Sequence, residues 1–203
     1  MVKIPERGDP TLDAIDRILE AKTNSEPKRR YIGASSIGDP CARKLWYRYH
    51  TDMREVFDAP TIRRFNDGHR TEDVMAAHLR MVPGIELYTH ENGKQYGFSH
   101  GAIKGHYDGV IRGLIQAPNT WHIWEHKAVN EKKFNEALKL RHEDEKTSLK
   151  KWDEVYYAQG VINMHMEGLE RHYMTISTPG MREYTSFRTE ADPVFAMALL
   201  NKG

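Results

Sequence analysis

The chain has 203 residues, a length that suits one domain with a well-buried core. Its 30 basic and 29 acidic residues give a formal net charge of +1, and hydrophobic residues make up 39% of the chain. This composition excludes a disordered protein and argues against a nucleic-acid binder that relies on net charge alone, although basic groups can still cluster on one face. The single cysteine, Cys41, excludes a disulfide framework or a cysteine-based zinc site within one chain.

The sequence favours a reducing compartment. The first ten residues, MVKIPERGDP, lack the apolar stretch of a secretory signal. The apolar stretch at 194–200 is too short to cross a bilayer. We therefore expect a cytoplasmic protein without membrane attachment.

Helical patterns dominate the first 80 residues. Asp9 and Pro10 precede apolar residues at helical spacing, which is typical of a capped amphipathic helix. The stretch SSIGDPCARKLWYRYH at 35–50 predicts a serine-rich turn and a short helix, in which we expect Cys41 to pack inward. Packing is also expected for Trp46, Tyr47 and Tyr49, with a wedge against a DNA base as the alternative for one of them. A further helix is predicted over 60–80, and its apolar stripe contains Glu72, an acid at a position that should be apolar.

Strand patterns form the centre of the chain and predict an antiparallel meander. The predicted strands cover 85–91, 94–99, 103–112 and 121–129. The charged stretch 131–151 predicts a helix or a mobile helical loop, and 152–168 predicts a helix that ends at Gly168 and carries Gln159 in its apolar stripe. Two more strands and a short helix complete a single α/β domain over 1–203, in which 1–30 form an N-terminal helical extension.

Glu125 and Lys127 lie two residues apart in the predicted strand WHIWEHKAV, so their side chains point to the same side of the sheet. Asp108 lies in the preceding strand, and antiparallel pairing can bring it beside Glu125. Two carboxylates held this close repel each other, and a divalent cation such as Mg²⁺ or Mn²⁺ removes that conflict. Glu72 can supply a third carboxylate, either directly or through water.

Lys127 adds a cation to this set of carboxylates. Beside a metal ion, its ammonium can orient or help deprotonate a water and can stabilise negative charge that grows on phosphorus. Carboxylates, metal and lysine together suit phosphodiester hydrolysis, with Gln159 available to hold Lys127, a base or a phosphate. The plainer alternatives are a surface ion pair for Glu125 and Lys127 and an ordinary buried amide for Gln159.

The motifs GHYDGV and WEHK, an upstream helical Glu and a downstream YYAQ helix resemble the PD-(D/E)XK nuclease superfamily. The resemblance covers about residues 30–177. It is closest to the exonuclease branch, which includes lambda exonuclease, RecB-type nuclease domains and CRISPR-associated adaptation nucleases. It implies a restriction-endonuclease-like core, in which helices flank a mixed central β-sheet.

The resemblance also implies roles for individual residues. Lys127 would be the catalytic lysine, and the metal ligands would be Glu72, Asp108, Glu125 and the backbone carbonyl of His126. Gln159 would be the helix residue of a QxxxY element and contact DNA. Asn163 replaces the tyrosine of that element, so Tyr156 or Tyr157 would take the aromatic role.

The serine-rich segment resembles the part of these enzymes that approaches a DNA end. Hydroxyls and cations at a helix start suit an anion, so we expect DNA phosphates to contact Ser35, Ser36, Arg43 and Lys44. Some relatives hold an iron–sulfur cluster, which needs four cysteines within one chain. Because this chain has only Cys41, we expect no such cluster.

The function that the resemblance implies is a Mg²⁺-dependent deoxyribonuclease. Exonuclease action at a free DNA end is expected, in recombination, repair or phage DNA processing, with a phage-encoded protein in the host cytoplasm and a recombination protein as partner as one setting. The alternatives are a DNA-end-binding or regulatory module of the same fold without catalysis, and a sequence-specific restriction enzyme. Polarity, strand preference, DNA against RNA and oligomeric state are left open.

Overall fold

A computed structural model describes residues 8–52, 54–141, 144 and 147–202. The helices of this part are α1 (Pro10–Asn24), α2 (Ala34–Ile37), α3 (Ala42–His50), α4 (Ala59–Arg80), α5 (Glu131–Leu140), α6 (Ser148–Trp152), α7 (Glu154–Glu167) and α8 (Pro193–Lys202). Its strands are β1 (Ile32–Gly33), β2 (Glu86–Tyr88), β3 (His90–Glu91), β4 (Lys94–Gln95), β5 (Gly97–His100), β6 (Ile103–His106), β7 (Gly109–Arg112), β8 (His122–Ala128), β9 (Arg171–Ser177) and β10 (Tyr184–Glu190). No helix in these ranges combines the length and the apolar character that a membrane crossing requires.

A five-stranded sheet in the order β10-β9-β8-β7-β2 forms the centre of the fold. The β8–β9 pair is parallel and the other pairs are antiparallel, so the sheet is mixed. Trp124 of β8 joins an apolar cluster with Met75 of α4, whereas Ile123 joins a cluster with Val161 of α7. Because neighbouring strand residues point to opposite faces, α4 and α7 cover opposite faces of the sheet. The predicted α/β fold with a mixed sheet between helices is confirmed.

The predicted antiparallel meander of the strands over 85–129 is wrong at its third strand. The predicted strand 103–112 breaks at Tyr107 and Asp108, and its first half, β6, pairs with β5 and β1 in a separate three-stranded sheet. Beyond these strands, β8 and β9 run parallel, and the helices α5 to α7 form the crossover connection that parallel neighbours need.

The helices largely follow the predicted pattern. Asp9 caps α1, with its side chain accepting hydrogen bonds from two backbone N–H groups, and Asp58 caps α4 by accepting one from the Thr61 N–H. The helix predicted from residue 152 starts at Glu154, because Asp153 caps it, and it ends at Gly168 in a left-handed conformation. The charged stretch 131–151 supplies α5 and most of α6, while residues 142, 143, 145 and 146 lie outside the described part.

Several residues that were expected to pack inward are instead exposed. Cys41 precedes α3 and is exposed, as are Trp46, Tyr47 and Tyr49 of that helix. Burial on α3 is confined to Leu45, because this short helix touches the core along a single line. The core expectation for Cys41 and the aromatic residues is therefore wrong.

Helix α1 attaches to α4 and the segment before it through polar contacts, and none of its residues is buried. The Asn24 side-chain amide donates to the Phe57 carbonyl and accepts from the Phe57 N–H, both at 3.0 Å. Glu20 accepts from the backbone N–H of Ala59, at the first residue of α4. These contacts fit an added helix, and the division of the chain into a domain and an extension over 1–30 stays a prediction.

Candidate active site

Glu125 is the centre of the candidate site. Its side chain lies on the α7 face of β8 and is 1% exposed. Oε2 accepts from Lys127 Nζ at 2.8 Å, and Oε1 accepts from Gln159 Nε2 at 2.9 Å and from Asn163 Nδ2 at 3.1 Å. Each oxygen of the carboxylate is therefore held by its own set of donors.

Asp108 lies directly beside this group. The pair of β7 and β8 at the start of β7 is Gly109 with Trp124, so Asp108 comes next to Glu125 just before β7 begins. Asp108 Oδ2 accepts from the backbone N–H of His126 at 2.7 Å, and its side chain also hydrogen-bonds to Glu125. The predicted meeting of Asp108, Glu125 and Lys127 is thus present in the structure.

Burial sets the protonation of the two carboxyl groups. Burial is the main factor that raises the pKa of Glu125, and the nearby Asp108 raises it further, to about 8 in the absence of metal, although Lys127 acts in the opposite direction. Burial likewise raises the pKa of Asp108 above its ordinary value, against the effects of Lys127 and the His126 N–H. The pair therefore favours a shared proton or a bound cation.

Lys127 is partly exposed and stays positively charged. Burial by itself would lower the pKa of its ammonium, but Glu125 and Asp108 outweigh that effect and hold the pKa above its ordinary value. At neutral pH the lysine is therefore a fixed cation beside two carboxyl groups, which suits electrostatic stabilisation of an anion.

Glu72 of α4 stands at the edge of the same site. Burial and the charge of Asp108 raise its pKa to about 7, and Glu72 in turn raises the pKa of Glu125. Its side chain is 27% exposed, with His69 Nδ1 4.0 Å from Oε2. The structure therefore places Glu72 within electrostatic reach of Asp108 and Glu125, in the outer part of the site.

The donor set fits a hard divalent cation. Asp108 and Glu125 offer oxygen ligands that are short of positive charge. The N–H of His126 points toward Asp108, and because N–H and C=O of one strand residue lie on the same edge, the His126 carbonyl faces that side too. Among the described residues, no three His, Cys, Asp or Glu side chains form a metal-binding group by themselves. An ion here would thus also use the carbonyl and water.

The His126 ring points to the other face of the sheet. Its Nδ1 lies 3.0 Å from Thr175 Oγ1 and its Nε2 3.2 Å from Ser177 Oγ. Burial lowers the pKa of this ring to about 4, so it is neutral and forms part of the core. Only the backbone of His126 belongs to the candidate site.

Asn163 is a site residue that the sequence analysis missed. It was considered only as a departure from the QxxxY element, yet it donates to the same Glu125 oxygen as Gln159. Both amides are buried on α7, four residues apart and therefore on one helix face. That spacing, together with the polar residue at each position of an apolar stripe, could have identified Asn163.

Tyr156, rather than Tyr157, belongs to the site. The Lys127 ammonium lies 5.7 Å from the centre of the Tyr156 ring. Tyr157 is buried elsewhere, and its hydroxyl hydrogen-bonds to Asp192. Lys133 of α5, also missed from the sequence, lies 4.5 Å from the same Tyr156 ring. A second cation thus stands one aromatic ring away from Lys127.

The predicted phosphate contacts lie on the segment that packs against α7. The turn at Gly38 touches Val155 and Ala158 of that helix. Ser35 and Arg43 are exposed, the Ser36 hydroxyl donates to the Gly33 carbonyl at 3.0 Å, and Lys44 pairs with Asp39 at 2.7 Å. None of the predicted contacts Ser35, Ser36, Arg43 and Lys44 hydrogen-bonds to Asp108, Glu125 or Lys127 within the described ranges.

Known structures share this fold, although no protein-family model and no curated protein matches the sequence. An alkaline exonuclease from Laribacter hongkongensis aligns with a TM-score of 0.60 at 14% identity, over 92% of this chain and 88% of that chain. The same exonuclease in complex with dAMP gives 0.59 at 15% identity, over 85% and 83%. A phage-related exonuclease from Haemophilus somnus 129PT gives 0.54 at 10% identity, over 85% and 89%.

These alignments cover most of both chains, and at such low sequence identity they show a shared fold. The chain therefore shares the fold of these exonuclease structures.

Proposed function

We propose that this protein is a metal-dependent deoxyribonuclease that degrades DNA from a free end. The observation that carries the proposal is the buried contact of Asp108 and Glu125 beside the cationic Lys127. The exonucleases of the same fold, one of them in complex with dAMP, support DNA as the substrate.

Mg²⁺ or Mn²⁺, when bound, would lower the pKa of a coordinated water and offset negative charge at the reacting phosphate. Asp108, Glu125 and the His126 carbonyl would hold the ion, with Glu72 contacting it directly or through water. Hard oxygen donors of this kind suit both cations.

The protein side chains supply positioning and charge. Lys127 presents an ammonium where negative charge develops on the phosphate, and a fixed cation in a water-poor site stabilises that charge strongly. Gln159 and Asn163 hold one oxygen of Glu125, which keeps the carboxylate in a single orientation. The Tyr156 ring faces the Lys127 ammonium from one side.

The DNA would approach along the segment that packs on α7. Exposed hydroxyl and cationic groups there suit phosphate contacts, and they belong to Ser35, Ser36, Arg43 and Lys44. The proposed setting is recombination, repair or phage DNA processing in the cytoplasm, with a phage or host recombination protein as partner.

The direct test uses linear and covalently closed circular duplex DNA with Mg²⁺, Mn²⁺ or EDTA. We expect progressive loss of the linear DNA only when a metal is present. Lys127→Ala should reduce the rate by about 100-fold or more, because one electrostatic contact to the transition state is lost. Lys139→Ala, which removes an exposed lysine from α5, is the matched control and should retain the rate.

Other outcomes would assign a different function. DNA binding without degradation under any metal would support the inactive DNA-end-binding module. Discrete fragments from the closed circle would support a restriction enzyme. Substrates labelled at either end would give the polarity of degradation, and a matched RNA substrate would test the preference for DNA.

A further inference from the structure

The outward face of α3 carries aromatic side chains where a surface helix normally carries charges. Leu45 is the residue through which α3 enters the core. Arg43, Trp46, Tyr47 and His50 follow the spacing i, i+3, i+4, i+7, so they share one face of the helix, on the side opposite Leu45. We call these four residues the α3 face.

The rings of the α3 face support one another. Trp46 and His50 stack with centroids 4.6 Å apart at 29°, and Tyr47 meets Trp46 edge-on at 5.2 Å. Tyr49 meets His50 edge-on at 4.8 Å from the side of the face. Even so, Trp46 is 53% exposed and Tyr47 is 45% exposed. The face is thus an ordered aromatic surface with ring area open to solvent.

The charges around this face favour a polyanion. Residues 28–55 contain seven of the 30 basic residues and only three of the 29 acidic residues of the chain. Lys44 and Arg48 pair with Asp39 and Glu55. Arg43, in contrast, forms no hydrogen bond or ion pair with any residue that the structure describes. Proteins that bind single-stranded nucleic acid combine cations with solvent-exposed aromatic rings in this way.

Helix α3 packs on the helix that carries a residue of the candidate active site. Leu45 shares an apolar cluster with Ala158 and Ile162 of α7. The next residue on α7, Gln159, holds Glu125. Helix α7 therefore connects α3 to the site.

We propose that the α3 face binds single-stranded DNA, with bases stacked on Trp46 and Tyr47 and a backbone phosphate at Arg43. This inference rests on the proposed function, because it assigns the face to the strand next to the nuclease site. Stacking on an aromatic ring is independent of base identity, so the surface would bind any sequence.

The test is binding of a fluorescently labelled 12-nucleotide oligothymidylate, measured by fluorescence anisotropy in EDTA. Trp46→Ala should weaken binding about 5- to 150-fold, the range of one base–aromatic stack. Trp46→Phe should retain most of the affinity. Tyr184→Ala, which removes another exposed aromatic ring from the edge strand β10, is the matched control and should bind like the original protein.

An abasic oligonucleotide of the same length separates stacking from charge and from damage to the fold. Trp46→Ala should bind this probe as well as the original protein does, because the probe keeps its phosphates and has no bases. An equal loss for both probes would overturn the inference. Unchanged thymidylate binding by Trp46→Ala would also overturn it, and a lower mass for that variant in sedimentation would then assign the face to a second copy of the chain.

The same experiment keeps the two proposals apart. Because binding is measured without metal, it does not depend on cleavage. Binding that depends on Trp46, in a protein that degrades no DNA under any metal, would defeat the proposed function and leave the α3 face assigned. Metal-dependent degradation with binding that is indifferent to Trp46 would do the reverse.

Discussion

The two oxygens of Glu125 have different partners, and this division determines how the residue responds to pH. One oxygen receives two neutral amides and the other a single ammonium, in a pocket that is closed to water. The donors do not fully replace the lost hydration, so the pKa of the carboxyl group stays raised. Ionisation of Glu125 in the metal-free site is therefore unfavourable at neutral pH.

The raised pKa of Glu125 predicts that the stability of the protein depends on pH. The pKa of Glu125 is about 8 in the folded protein against an ordinary value of 4.5, so the folded state binds more protons between these values. The stability of the metal-free protein should therefore fall as pH rises through this window. Between pH 6 and 8 we expect a loss of about 1–3 kcal/mol, or about 2–10 °C in Tm, by differential scanning fluorimetry.

Glu125→Gln provides the control, because its amide does not titrate. Its Tm should change less between pH 6 and 8 than that of the original protein. Mg²⁺ should raise the Tm of the original protein more at pH 8 than at pH 6, since protons compete with the ion for the carboxylates. Parallel Tm curves for the two proteins would contradict the raised pKa.

A second prediction concerns the amides that hold Glu125. Gln159→Ala or Asn163→Ala removes a donor to the carboxylate and should raise the pKa of Glu125 further. The acid limb of the pH–rate profile for DNA degradation should move up by about one pH unit, with a rate loss of about 3- to 30-fold at neutral pH. The matched control is His165→Ala, an exposed residue of α7. An unmoved acid limb in both amide variants would contradict the role.

At the residue scale, the sequence predicts which side chains of one strand share a face. It does not predict a role that one residue type takes over from another. Strand alternation suffices to place Glu125 and Lys127 on one face. The role of Asn163 was not predicted, because a search for tyrosine at that position treats an amide as an absence. A buried carboxylate requires hydrogen-bond donors, and an amide N–H can serve as one just as a hydroxyl can.

At the element scale, a close contact at Gly38 joins the α2–α3 turn to α7. A Cβ at this position would lie 2.7 Å from the Ala158 Cβ and 2.8 Å from the Val155 Cα. The backbone of Gly38 is right-handed helical, which suits any residue. Space, rather than conformation, therefore requires glycine here.

Gly38→Ala should push the turn away from α7 and lower the free energy of unfolding by about 1–3 kcal/mol. Gly68→Ala is the matched comparison, because a Cβ there meets open space within α4. That variant should instead gain about 0.5–1 kcal/mol from helix propensity. Urea unfolding measures both changes. A neutral Gly38→Ala would show that the turn does not press on α7.

Elements were predicted well where one pattern runs through one environment. Capped helices such as α1 and α4 are examples. The stretch 103–112 was predicted wrongly as one strand. Its pattern of alternating residues continues across Tyr107 and Asp108, but its pairing partners change there from one sheet to another. Parallel pairing of β8 and β9 was also missed, since it depends on the distant crossover and not on either strand.

At the scale of the whole molecule, α1 tests whether the chain is one unit or a domain with an extension. Deletion of residues 1–25 removes the polar contacts at Phe57 and Ala59 and leaves the core intact, because α1 buries no side chain. We expect a loss of about 1–3 kcal/mol and a single cooperative urea transition.

Asn24→Ala is the smaller companion change, since it removes only the two hydrogen bonds to Phe57. It should lower the free energy of unfolding by less than the deletion does. A deleted protein that fails to fold would show that α1 is an integral part of the domain. In that case, residues 1–30 could no longer be regarded as an extension.

The break between β6 and β7 predicts how the candidate site responds to heating. Asp108 stands at the joint of the small outer sheet and the large central one, so its place depends on both. The outer sheet has three short strands, and such peripheral units open at lower cost than a central sheet does. Warming should therefore displace Asp108 early, and the proposed DNA cleavage should be lost at temperatures where most of the protein is still folded.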